Sequence, residues 1–199
     1  MLAQPFADAQ VFLPKYLSPH QQRELYEELQ KFPAKLNYYM PAGAYPENVL
    51  QGDGWRGFVV IDFETSERKT ISAVVVSNSC DIDPANSANS ARKILFAPIV
   101  PLDGIRAIWH QLGDSEAQIK DKLAAVRRQE ITTMFFLPEL PNVVQESVAL
   151  LDDCHQQPLN RFLAGPRTKR FTLSQSAFWI LLIKLSIHFT RANEGVVRM

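Results

Sequence analysis

The stretch 56-RGFVVIDFETSERKTISAVVVS-77 holds two runs rich in β-branched and aromatic residues, 56–63 and 70–77, on either side of the polar segment ETSERK. That combination predicts a β-hairpin. Beyond it, 93-KILFAPIVPL-102 predicts a third strand, which Pro98 and Pro101 push toward a sheet edge or a bulge. Further strands are expected at 131-ITTMFFLP-138 and 145-QESVALLD-152. Three helical patterns frame them. The first is 18-SPHQQRELYEELQKFP-33, with Ser18 as cap, Gln21 at capping-box spacing, and Leu25 and Leu29 on one face. The second is 114-DSEAQIKDKLAAVRRQ-129, capped by Asp114 or Ser115, with Ile119, Leu123 and Val126 on one face. The last runs from about Ser174 to about Arg191 and is apolar nearly all round between Phe178 and Phe189.

Strands joined by turns rather than by crossover helices imply antiparallel pairing, hence an α+β fold. The expected architecture is a small antiparallel β-barrel or rolled sheet in one domain over 1–199. It comprises an N-terminal helical extension (1–35), a β-rich core (56–173) with an inserted helix (114–129), and a C-terminal helix (174–192). The segment from Leu36 to Trp55, rich in Tyr, Pro and Gly, reads as a long irregular connection.

Bulk properties narrow the function. The 199 residues balance 21 Lys/Arg against 21 Asp/Glu, which argues against a general polyanion binder. Residues 151–199 nevertheless hold seven basic against three acidic residues. Two cysteines are too few for a disulfide framework. The N-terminus lacks the charge and apolar core of a signal peptide, and the apolar run 178–189 falls short of the ~20 residues of a membrane span. The expectation is a cytoplasmic chain that meets no membrane. No Gly-rich phosphate loop, G-x-S-x-G elbow, H-E-x-x-H or paired C-x-x-C occurs, and no cofactor is implied.

Three places invite chemistry. In 77-SNSCDID-83, Cys80 sits beside Asp81 and Asp83. It reads as a buried strand-end residue whose aspartates hold the next turn, as a nucleophile, or as a metal ligand. Adjacent carboxylates oppose thiolate formation and weaken the second reading. For the third, Cys154 and His155 would complete a ligand set with one aspartate, although the spacing is not that of a zinc site. The basic run 161-RFLAGPRTKRF-171 offers Arg161, Arg167, Lys169 and Arg170 as phosphate contacts, weighed against a solvated turn. The apolar C-terminal helix needs cover. Phe178, Leu181, Leu182, Leu185 and Phe189 are expected on the sheet, and Trp179, Ile183 and Ile187 against a second chain or the N-terminal helix.

Ser77, Cys80, Asp81 and Ile82, followed by 94-ILFAPIVPL-102, the FFLP of 135–138, and Leu173-Ser174 before the last helix, resemble a group of uncharacterised bacterial and phage proteins. The resemblance spans about residues 56–192. It implies a small SH3-like barrel of the PemK/MazF-like kind with added helices, in a mobile-element or toxin–antitoxin defence setting. Three functions stay open. The first is a non-enzymatic binding or regulatory module with a protein partner, self-association through the last helix, or nucleic acid. The second is a toxin-like ribonuclease using Asp81, Asp83 and basic residues such as Arg167 and Arg170. The third is a Cys- or metal-dependent enzyme at Cys80.

Overall fold

A computed structural model describes residues 37–83, 85 and 92–189, together with positions 18, 20, 23 and 27. His20, Arg23 and Glu27 are helical and exposed, while Leu25 and Leu29 lie outside the described residues. The expected hairpin is present as β1 (Gly54–Ile61) and β2 (Arg68–Val75), paired antiparallel from Gly54↔Val74 to Ile61↔Arg68. The ladder slips at Gly57, which adopts φ +121°. A Cβ there would come within 2.6 Å of the Pro166 carbonyl oxygen, so the bulge needs glycine.

After β2 the chain makes one short turn of helix, α1 (Ser79–Ile82), and returns as β3 (Lys93–Pro101). Two helices follow, α2 (Leu102–Gln111) and α3 (Glu116–Arg127). Ser115 caps α3 in a reciprocal capping box with Gln118, while Asp114 instead takes an ion pair from Lys122. Next come β4 (Met134–Leu137), β5 (Ser147–Leu150), β6 (His155–Pro158), α4 (Leu159–Ala164), β7 (Thr168–Phe171) and α5 (Gln175–Phe189).

The sheet runs β4-β5-β3-β2-β1-β7, with β6 also on β3, and every pairing is antiparallel. β5 and β6 lie end to end along one side of β3, on Ile99–Pro101 and Lys93–Phe96 respectively. This answers the prolines of β3. Pro98 pairs with Ala73 where β3 is between its two partners on the other side, and Pro101 ends the strand. The sheet does not close: β4 and β7 are its two ends and do not pair, so the closed barrel considered from the sequence is replaced by an open seven-stranded sheet. Both ends are protected. Tyr39 bridges Leu173 beyond β7, with Met40 N donating to Thr172 O at 2.9 Å. At the other end Gln129 side-chain atoms bond Phe136 N and O at 3.0 and 2.9 Å, imitating one residue of a neighbouring strand. Gln129 also closes α3. It stands at φ +60°, the left-handed position of a Schellman motif, with Gln129 N on Val126 O and Glu130 N on Ala125 O.

Each face of the sheet is covered over part of its area. On one, Val74, Ala97, Phe135, Ala149 and Phe171 meet α5. On the other, Phe58 stacks between Phe96 and Phe162, at centroid distances of 4.2 and 4.3 Å, beneath α4. A third cluster joins α2 and α3 to Phe136 and Val148. The expectation for α5 needs correcting at Phe189, which is 60% exposed rather than packed on the sheet. Trp179, expected against a second chain or the N-terminal helix, is 1% exposed and belongs to the first cluster. α5 is buried along Ala177, Ile180, Leu181, Lys184 and Leu185, while Phe178, Leu182 and Ile183 are half-buried and Ile187 is exposed. Among the described residues no helix is long and apolar enough to cross a membrane.

Candidate binding groove

The serines and asparagine of 77-SNSCDID-83 are spent on backbone. Ser77 Oγ accepts from Leu95 N at 2.7 Å, Ser79 Oγ from Gln51 N at 2.9 Å, and Asn78 Oδ1 caps α1 through Cys80 N at 2.9 Å. Asp83 Oδ1 accepts from Ala85 N at 2.8 Å in the turn that follows, as expected of an aspartate there. Cys80, expected to be a buried strand-end residue, is exposed on α1, and Asp81 is exposed as well. The capping Asn78 turns the chain out of the sheet two residues early. Ile82 is the residue of the motif that enters the core.

Cys154 and His155 are engaged separately. The Cys154 thiol donates to Leu151 O at 3.3 Å, and burial, with Asp153 and Asp152 nearby, pushes its pKa up to about 11. His155 Nε2 pairs with Asp153 at 3.0 Å. Neither cysteine is in a disulfide, and among the described residues no group of three or more His, Cys, Asp or Glu side chains is placed to hold a metal ion. His110 is exposed and pairs with Glu116 at 2.8 Å, and His188 is half-buried against Phe189.

The basic run 161–171 is divided between two sides of the sheet. Lys169 turns inward, and all its donors are used. It pairs with Asp53 at 2.9 Å and donates to Tyr45 O and Asn48 O at 2.8 and 3.1 Å, 5.4 Å above the Trp55 ring. Asp53 is fully buried, and burial pushes its carboxyl pKa up against the opposing pull of Lys169 and of the Leu50 N–H. Arg167 bonds Leu163 O and lies over the Trp55 and Phe162 rings. Both are structural, clamping the 45–53 connection and α4 to β7. Arg161 is exposed on α4. Arg170 alone of the four points to the other side.

There the sheet face that α5 covers continues uncovered. Arg56 and Ser72, directly paired across β1 and β2, Ile99 and Pro101 of β3, Ser147 of β5, and Arg170 line a cavity of about 510 Å³. Its outer wall is the turn 139–145. That turn is braced by reciprocal Leu140–Val144 backbone bonds of 2.8 and 2.9 Å, with Asn142 at φ +61°. Arg170 ties the wall to β7 by bonding Val143 O, and Arg127 holds Glu146 beyond it through two bonds of 2.8 and 2.6 Å. A second cavity of about 590 Å³ lies beyond Asn142, Val143 and Arg170, against the 40–46 segment. The first cavity is the groove, and Asn142, Val143 and Arg170 form the wall it shares with the second. The Arg56 side chain is exposed and has no ion pair or hydrogen bond to any described residue, and Glu139 is the single carboxylate among the described residues that line the first cavity. No histidine or cysteine lines either cavity.

Of this groove the sequence reading found only Arg170. The two prolines and asparagine of 138-PELPNVV-144 mark a turn. Nothing local says that the turn stands over Arg56 and Ser72, some seventy to ninety residues upstream. No family model matches the chain, and no curated protein matches it.

Proposed function

We propose that the chain is a non-enzymatic binding module, regulatory in role, whose docking site is the groove beside Arg170. The sheet is read as an SH3-like roll with this groove at its mouth. The observation that carries the reading is an uncovered stretch of sheet face, walled by a braced turn, on which the Arg56 guanidinium has no partner of its own. An arginine at a concave site that makes no bond of its own favours a ligand that brings an opposite charge, since Glu139, the one carboxylate among the described lining residues, forms no ion pair with it. A protein partner in a mobile-element or defence setting follows from the resemblance. The ribonuclease reading gains no support. Asp83 is committed to its turn, Arg167 and Lys169 are internal, and no histidine stands by the groove to act as acid or base. Self-association through α5 rests on Ile187 and Phe189, the exposed apolar residues at its C-terminal end.

The test places the photo-crosslinking amino acid p-benzoylphenylalanine at Ser72, in the groove, or at Asn160, exposed on α4 beyond the opposite face. Discrete protein adducts formed in cells from position 72 and not from 160 are expected. Equal labelling from both positions, or none, refutes the groove. Growth arrest on expression, relieved by substitution of Asp81 and Asp83, would restore the ribonuclease.

A further inference from the structure

Resting on the groove reading, we propose that its occupant is an extended peptide segment carrying an acidic side chain, with that carboxylate held between Arg56 and Arg170. The two arginines line the same cavity, from adjacent strands β1 and β7. Guanidinium groups bind carboxylates through paired hydrogen bonds, and Arg56 has all its donors to offer. The floor crosses β7, β1, β2, β3 and β5. Four inter-strand steps of ~4.8 Å give a length of roughly 19 Å, which about six residues of extended chain would span.

The remaining lining suits a peptide backbone. Ser72, Asn142 and Gln145 present side-chain donors and acceptors, and Ile99 and Val143 present apolar surface between them. A single-stranded nucleic acid would need stacking platforms, and no aromatic ring is among the described residues that line the first cavity, while Phe171 of the second is buried and packed on Tyr39 at 5.0 Å. The balanced charge of the chain likewise supplies no field for a polyanion.

The experiment selects a displayed library of random decapeptides on the full chain, with a Ser72→Trp variant that fills the groove as the counter-screen. Expected is enrichment of Asp or Glu at one position, flanked by apolar residues and lost on the filled variant. A synthetic selected peptide should bind about tenfold more weakly to Arg56→Gln, and about tenfold more weakly when its acid is changed to the amide. Arg56 makes no internal bond, so this variant folds even where Arg170→Gln, which frees Val143 O, does not. Enrichment of neutral or basic sequences, or unchanged binding to Arg56→Gln, overturns the acidic occupant while leaving the groove intact. Tighter binding of a ten-nucleotide oligothymidine than of any selected peptide overturns it in favour of nucleic acid. Selection that does not distinguish the filled variant overturns the groove itself.

Discussion

Lys184 is the most costly side chain in the apolar helix α5. It is 4% exposed, and its ammonium donates to Gln129 O at 2.6 Å. Burial drives its pKa down from 10.5 to about 7, with Glu130 the nearby charge acting the other way. The native state thus releases a proton that the unfolded chain keeps between those two values. Stability therefore rises with pH across that window. From the two pKa values, the charge penalty is about 5 kcal/mol at pH 6 and about 1 kcal/mol at pH 10. Lys184→Met keeps the length of the stem and removes the penalty, but strands the Gln129 carbonyl at a cost of about 1–3 kcal/mol. The variant should be more stable than the parent by roughly 3 kcal/mol at pH 6 and less stable by roughly 1 kcal/mol at pH 10. Urea unfolding followed by tryptophan fluorescence at the two pH values measures the difference, in which all other titrations cancel. A difference of one sign and size at both pH values would refute the reasoning, because it would mean Lys184 keeps its charge in the fold.

Lys169→Met leaves the Asp53 carboxylate buried without its cation and should cost about 3–5 kcal/mol, with Asp53→Asn added to it restoring part of the loss in a double-mutant cycle. Gln129→Ala removes the side chain that pairs the open edge of β4. It should cost about 2–3 kcal/mol and speed hydrogen exchange at the Phe136 amide well before exchange elsewhere in the sheet. Iodoacetamide should label Cys80 rapidly in the native protein and Cys154 only slowly at pH 8, since the second thiol is half-buried with its pKa raised. Mass spectrometry of tryptic peptides reads both, and equal rates would contradict the placement of α1.

The sequence by itself determined much of what depends on neighbours within a few residues, although the Asn78 cap of α1 and the helix α2 went unread. Alternation over 56–77 gave the hairpin, Asp114-Ser115 the start of α3 without deciding between them, and the position of Asp83 its turn. These are local hydrogen bonds and local periodicities, and they survive without knowledge of the rest of the chain. Element type was legible even for α5, although its orientation was not, because a helix apolar on every side carries no preferred face. Its rotation was decided by which flank met Phe135 and Phe171, and that choice buried Trp179 and left Phe189 outside. The strands β6 and β7 are four residues each, too short and too polar to announce themselves; they form because β3 and β1 present unpaired edges to them. Cys80 misled for a related reason: its position after a β-branched run suggested burial, but β2 ends at Val75 and Asn78 caps a short helix on which Cys80 is exposed. The division of the basic run was a tertiary matter as well. Lys169 and Arg170 are adjacent in sequence, and only the irregular pairing of β7 on β1 sends one to a buried aspartate and the other to the groove. The groove is made of five strands and a turn whose residues are scattered from Arg56 to Arg170. Such a site exists only once antiparallel pairing has set those strands side by side, which no window of sequence contains.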